Sequence, residues 1–337
     1  MAYETGSATD LDDLLSKLNT FATANGWTSD EFDTVNGDWA LSKNDVYVSA
    51  RWDVTTVQHL ALYQALAFDG AATLPGDHTD DSGHGFNSNS SHVDTNLDNE
   101  RHVADIGDGP FATYHFFEND ASPAYIHIIV QVSAGVFRHF GFGELDKIGD
   151  WTGGEYCYGH YMDNLPNQTA VDPRTSMLFD GLNTENPVNF GQRNATMHVE
   201  GLPGMGGSDK WGCIFGSRTL SLASDTDGNG NSLTRLLGGF RGGPIARAWA
   251  EFDGSNSVGF VPMYPINVWH HEDSTSRIRL LGSMADVRGV SLRNFEAEEE
   301  VTIGSDTWVL FPSGRKTADN VTNRTYLQGI AYKKVTT

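Results

Sequence analysis

AYIHIIVQVSAGVFRHFGFGELDKIGDWTGGEYCYGHYM, residues 124–162, is the stretch that decides the fold class. Ile126, Ile128, Val130 and Val132 alternate with Tyr125, His127, Ile129 and Gln131, and a period of two puts successive side chains on opposite faces of a strand. Ser133-Ala134-Gly135 supplies a turn. Val136, Arg138, Phe140 and Phe142 then alternate with Phe137, His139, Gly141 and Gly143, which predicts a returning strand and hence a hairpin. Trp151, Tyr156, Tyr158 and Tyr161 crowd its exit among Gly153, Gly154 and Gly159. Three roles compete for these aromatics: the core of a β-sandwich, anchors of a subunit interface, and platforms for sugar rings.

Working towards the N-terminus, Phe111–Glu118 reads as another strand, and residues 69–109 form a long irregular segment dense in Gly, Asp, Asn, Ser and His. Residues 58–68 alternate like a strand, although their alanines and leucines also suit a helix. Trp39 and Leu41, a Lys43-Asn44-Asp45 turn, then Val46, Val48, Ala50 and Trp52 spell a hairpin. The clearest helix lies at residues 10–24, where Leu11, Leu14, Leu15, Leu18, Phe21 and Ala22 share one stripe. Thr9 or Asp10 can cap it, Asn25-Gly26 ends it, and Trp27 is placed to pack back on the stripe. Leu11, Leu14 and Leu18 are also candidates for docking this helix on a neighbouring subunit.

Towards the C-terminus, residues 163–195 read as loop, with Pro166, Pro173 and Pro187 scattered through them. Strands are expected at 197–200, 214–223, 259–270, 278–281, 300–303, 307–311 and 326–335. The expectation is a mainly β protein: sandwich-like antiparallel sheets with long loops and a short N-terminal helix. Its parts would be an N-terminal helical segment (1–34), a β domain carrying the long loop (35–162), and a loop-rich region with a C-terminal β unit (163–337).

Charge narrows the partners. The net charge is −22, and lysine is scarce, with Lys17, Lys43, Lys147, Lys210, Lys316, Lys333 and Lys334 making up the whole set. Nucleic acid and anionic membranes are disfavoured, because binding either needs a basic patch that displaces counterions. Cys157 and Cys213 are too few and too far apart for a disulfide framework or a zinc ribbon, and are expected as buried thiols. The first residues carry no basic segment followed by an apolar run, so the expectation is a chain made in a cytoplasm without a leader.

Catalytic motifs give little. GxSxG and GxxxxGK[ST] do not occur, and Gly141-Phe142-Gly143 lacks the third glycine and the helix of a dinucleotide site. Asp225-Thr226-Asp227-Gly228-Asn229-Gly230 matches the first half of a calcium loop, so Asp225, Asp227 and Asn229 are candidate Ca2+ ligands. Leu236 stands where that loop needs its bidentate glutamate, which favours a polar turn instead. His78, His84, His92 and His102 lie among acids in the long loop without a metal-site spacing.

Three segments bring a family into view: YETGSATDLDDLLSKLNTFATANGW (3–27), VFRHFGFGELDKIGDWTGGEYCYG (136–159) and DVRGVSLRNFEAEEEVTIGSDTWVLFPSGRK (286–316). Together they resemble virion structural proteins of tailed bacteriophages. The resemblance implies a non-enzymatic subunit of the tail or baseplate, made in the host cytoplasm and residing in the virion. Its partners would be other virion proteins and copies of itself, and it brings no catalytic residue to carry over. A head–tail neck or capsid decoration role is an alternative within that class. A tail protein that binds or cleaves host surface glycan is the alternative from another class.

Overall fold

A computed structural model describes residues 1–52, 60–70, 103–104, 106, 109–119, 121–159, 195–202, 211–215, 234–238, 263–272, 277–292, 294–312 and 328–334. In chain order the elements are β1 (Ala2–Ala8), α1 (Leu11–Ala24), β2 (Thr28–Asp33), β3 (Asp38–Lys43), β4 (Val46–Trp52), β5 (Leu60–Ala65), β6 (Val103–Ala104) and β7 (Phe111–Asn119). There follow β8 (Tyr125–Ser133), β9 (Val136–Glu144), β10 (Asp146–Lys147), β11 (Thr152–Gly159), β12 (Ala195–Glu200), β13 (Trp211–Phe215) and β14 (Thr234–Gly238). The last are β15 (Met263–Glu272), β16 (Arg277–Ser291), β17 (Glu300–Ile303), β18 (Asp306–Pro312) and β19 (Gln328–Lys334). The protein is mainly β and sandwich-like, with one short N-terminal helix among the described residues.

α1 forms where the apolar stripe calls for it. Asp10 caps it by accepting the Asp13 N–H at 2.8 Å, and Asp13 in turn accepts the Thr9 N–H at 2.9 Å. Asn25 closes the other end, Gly26 takes a left-handed φ of +81°, and the Trp27 N–H returns to the Ala22 carbonyl. A strand precedes the helix: β1 pairs antiparallel with β7 at the edge of the main sheet. The alternation of β1 is weak because it lies at the sheet edge with one mostly exposed face.

A small sheet runs in the order β2-β3-β4-β5-β6. The long sheet runs β1-β7-β8-β9-β11-β12-β13-β14-β15-β16-β19-β18-β17, antiparallel except for the parallel pair β13–β14. It doubles back on itself. β10, which follows β9 in sequence, pairs with β16 through Lys147↔Gly282. Strands β16, β18 and β19 thereby lie over one face of β7–β9. Strand pairing therefore runs across residues 34–35 and 162–163, where the sequence suggested divisions. Most of the expected loops over 69–109 and 163–195 lies outside the described residues, but Val103–Ala104 within the first pairs with β5 as β6, and Ala195 at the end of the second begins β12.

Three layers result, with β7, β8 and β9 in the middle. One of their faces, carrying Phe116, Ile126, Ile128, Val130, Phe140 and Phe142, packs on α1 and the small sheet. The other, carrying Phe117, Ile129 and Phe137, packs on Val287, Phe311 and Tyr332 of the C-terminal strands. A strand buried on both faces reads as a near-continuous apolar run. This is the reason Tyr125 to Val130 has no exposed face. Each fully buried Ile or Phe contributes about 1.5–3 kcal/mol.

The helix stripe belongs to this interior. Leu11 is 1 % exposed and Leu14 and Leu18 are fully buried against their own chain, so they are not docking residues. A stripe flanked by a β-sheet of its own chain is covered on folding, whichever partner comes later. A buried ion pair pins the helix end. Lys43 donates to the Asn25 carbonyl and to Glu118 Oε1, both at 2.8 Å, while Trp27 Nε1–H reaches the same carboxylate at 3.3 Å. Burial pushes the Glu118 carboxyl up, and Lys43 pulls the other way.

Candidate functional site

The central feature is a run of polar aromatics and histidines between the middle and C-terminal layers. His115 (β7), His127 (β8) and His139 (β9) all point into it and are 4 %, 0 % and 0 % exposed. Tyr125, Tyr156, Tyr158, Tyr332, Phe117 and Phe311 fill the space around them. Backbone register decides who meets. Gly141 of β9 lies directly between His127 of β8 and Tyr158 of β11. Having no side chain, it lets Tyr158 lean across to His127; a Cβ there would lie 2.6 Å from the Ile126 carbonyl oxygen and 3.0 Å from both His127 Nδ1 and the Tyr158 ring. Gly143 leaves similar room for Tyr125. The Gly-Phe-Gly triplet, a failed dinucleotide motif on sequence grounds, is thus a packing device.

The direction of these hydrogen bonds is fixed at the Pro312 end. His139 Nε2 is 2.9 Å from the Pro312 carbonyl, which can only accept, so that nitrogen carries the proton. In the neutral ring Nδ1 must then accept, and the Tyr332 hydroxyl donates to it at 2.9 Å. Tyr332 and Tyr158 are also close enough to act on each other. His127 Nδ1 lies 3.0 Å from the Tyr158 hydroxyl and its Nε2 lies 3.4 Å from the Tyr156 hydroxyl, so the neutral ring donates to one and accepts from the other. Every contact is filled by one proton from neutral side chains. Burial holds His127 down to about 3, with His139 beside it disfavouring a second charge, and holds His139 down to about 4 against the raising effect of its Pro312 hydrogen bond, with Arg138 adding to the lowering. Burial pushes the hydroxyls of Tyr156, Tyr158 and Tyr332 up.

A second chain ties β1 in. Tyr3 Oη lies 2.9 Å from His115 Nδ1, and His115 Nε2 lies 2.9 Å from Glu298 Oε1. Glu298 occupies a left-handed φ of 66°, held by its N–H on the Leu310 carbonyl. Hydroxyl, imidazole and carboxylate follow the order of a nucleophile-activating triad. Burial raises the Tyr3 hydroxyl, however, and lowers His115. Both shifts favour the uncharged hydroxyl and the uncharged ring, and the contacts tie β1 through β7 to the Glu298 carboxylate.

The residues singled out by sequence are distributed as follows. Tyr156 and Tyr158 are covered by this chain's own C-terminal strands, so they are neither interface anchors nor sugar platforms. Trp151 is half-buried, donates Nε1–H to the Leu281 carbonyl at 3.2 Å and carries Lys147 over its ring. Tyr161, Asp225, Asp227 and Asn229 lie outside the described residues. Among the described residues, no group of three or more His, Cys, Asp or Glu is placed to hold a metal ion. Cys157 is a buried thiol. The buried histidines escaped sequence reading, although each sits mid-strand in an apolar run, in TYHFFEN, YIHIIV and FRHFGF. A histidine in such a run is the signal that would have found them.

Comparison with the models of known protein families and with curated proteins finds no match.

Proposed function

We propose that this protein is a non-enzymatic structural subunit of a tailed-phage particle, in the tail or baseplate, acting through contacts with other virion proteins and with copies of itself. The observation that supports the reading is where the three phage-like segments lie. The first supplies β1 and α1, the second β9, β10 and β11, and the third the end of β16 with β17 and β18. They are far apart in sequence and contiguous in space. Tyr3 of the first reaches Glu298 of the third through His115. His139 of the second bonds the Pro312 carbonyl of the third. A similarity that falls on one connected framework is what a shared body would leave.

The interior suits that role. Its titratable groups are used to join layers, which favours a rigid part over a reactive one.

Quantitative mass spectrometry of purified particles, scaled to the portal protein, tests the proposal. A few copies per portal ring is the expected result. Abundance matching the major capsid protein would overturn the tail location, and absence from the particle would overturn the structural reading.

A further inference from the structure

At the seam between β11 and β12 a histidine is held between two carboxylates. His198 of β12 is 6 % exposed. Its Nδ1 lies 2.7 Å from Glu155 Oε2 of β11, and its Nε2 lies 3.1 Å from Glu200 Oε1 on its own strand. An ionised carboxylate only accepts, so both contacts are filled only when both ring nitrogens carry protons. The ring is then an imidazolium.

The place is structurally weak. The β11–β12 ladder pairs Gly153 with Val199 and then Tyr156 with Met197, so Gly154 and Glu155 together oppose His198 in a bulge. Gly153 and Gly154 take φ values of 110° and 113°, and a Cβ on Gly153 would lie 2.2 Å from the His198 carbonyl oxygen. Where regular pairing lapses, the Glu155–His198–Glu200 bridge takes its place.

We propose that His198 is a proton-operated clasp on this seam: the imidazolium ties Glu155 and Glu200 across the bulge, and loss of its proton loosens β12 from β11. The clasp does not depend on the virion reading. The surrounding carboxylates act in the same sense. Glu144 of β9 stands directly opposite Glu155, and Asp45 of the β3–β4 turn lies close enough to act on Glu144. Lys147 of β10 donates to the Gly153 carbonyl at 2.9 Å and, as a cation, partly offsets these carboxylates at Glu144. β13, on the other side, places Trp211 opposite His198 and carries no charged residue. Loss of the proton leaves carboxylates facing a neutral ring that can donate to one of them only.

Burial lowers His198, but the hydrogen bonds and charges of Glu155 and Glu200 outweigh it and raise the ring above its ordinary value. A group raised on folding stabilises fully below its unfolded pKa, and that contribution is lost as pH rises through the folded one. The clasp is closed in mild acid and opens on the alkaline side.

Hydrogen exchange of the full chain between about pH 6 and about pH 9 tests this, after correction for the intrinsic pH dependence of exchange. In the wild type the opening of 195–200 is expected to rise on the order of tenfold across that range. In His198→Gln, which keeps one donor and one acceptor but does not titrate, opening is expected to be high and independent of pH. Exchange of the His198 ring C–H in the wild type gives the midpoint directly and requires no variant to fold. A midpoint at or below that of an ordinary histidine, or the same pH-independent protection in wild type and variant, would overturn the proposal.

Discussion

Neutral burial of His127 and His139 commits the protein to a steep loss of stability in acid. Both histidines titrate near 6.5 when exposed, whereas folding holds them down to about 3 and about 4. The unfolded chain therefore binds more protons than the folded one throughout the window between these values, and stability falls as pH falls through it. At pH 5 each ring costs about 2 kcal/mol relative to pH 8, set by its unfolded pKa because both folded values lie below 5. The pair costs about 4 kcal/mol, a large share of the ~5–15 kcal/mol that holds a typical domain together. His139→Gln isolates one of them, since its carbonyl can accept from Tyr332 and its amide can donate to the Pro312 carbonyl. Urea unfolding followed from pH 8 to pH 5 is the assay. At pH 8 the variant is expected to be about 1–2 kcal/mol less stable, from imperfect fit. Its acid slope near pH 5.5 is expected to be shallower by about 1 kcal/mol per pH unit, the loss of roughly one proton taken up on unfolding. The two stability curves would then converge towards pH 5. Equal slopes in wild type and variant would refute the reasoning, because they would mean that His139 takes up no proton on unfolding.

Four further outcomes follow from the packing. Gly141→Ala puts a methyl against the Ile126 carbonyl, His127 and Tyr158, and should lower stability by about 1–3 kcal/mol, read as a fall in Tm. Lys43→Met leaves Glu118 charged and buried and should cost about 3–5 kcal/mol, while Lys43→Met with Glu118→Leu should recover most of the loss. Leu14→Ala should cost about 2–5 kcal/mol in chemical unfolding and leave self-association in sedimentation unchanged, since Leu14 is spent inside its own chain. Tyr3→Phe removes the donor to His115 and should raise amide exchange in β1 far more than in β8, because only β1 depends on that tether.

The candidate site was only partly legible. Trp151, Tyr156 and Tyr158 were recognised as a cluster, but whether such rings face solvent, a partner or the interior depends on what lies over them. Here the cover is β16, β18 and β19, more than a hundred residues further along the chain. His115, His127 and His139 carry no motif, since their roles arise from register: Gly141 opposite His127 makes a gap, and Pro312 supplies a terminal acceptor.

By itself the sequence determined the local elements. The leucine stripe with its Asp10 cap makes α1, and the alternating runs with Asn44 and Gly135 in left-handed turns make the β3–β4 and β8–β9 hairpins. These follow from backbone periodicity and turn sterics, which act over a few residues. The tertiary structure alone decided that β1 joins the far edge of the sheet, that β16 is a single strand of 15 residues serving β10, β15 and β19, and that β8 is covered on both faces. The physical reason is that strand partners and layer order are chosen by which surfaces bury each other, and an alternating pattern tells a strand which faces it has but not what will cover them.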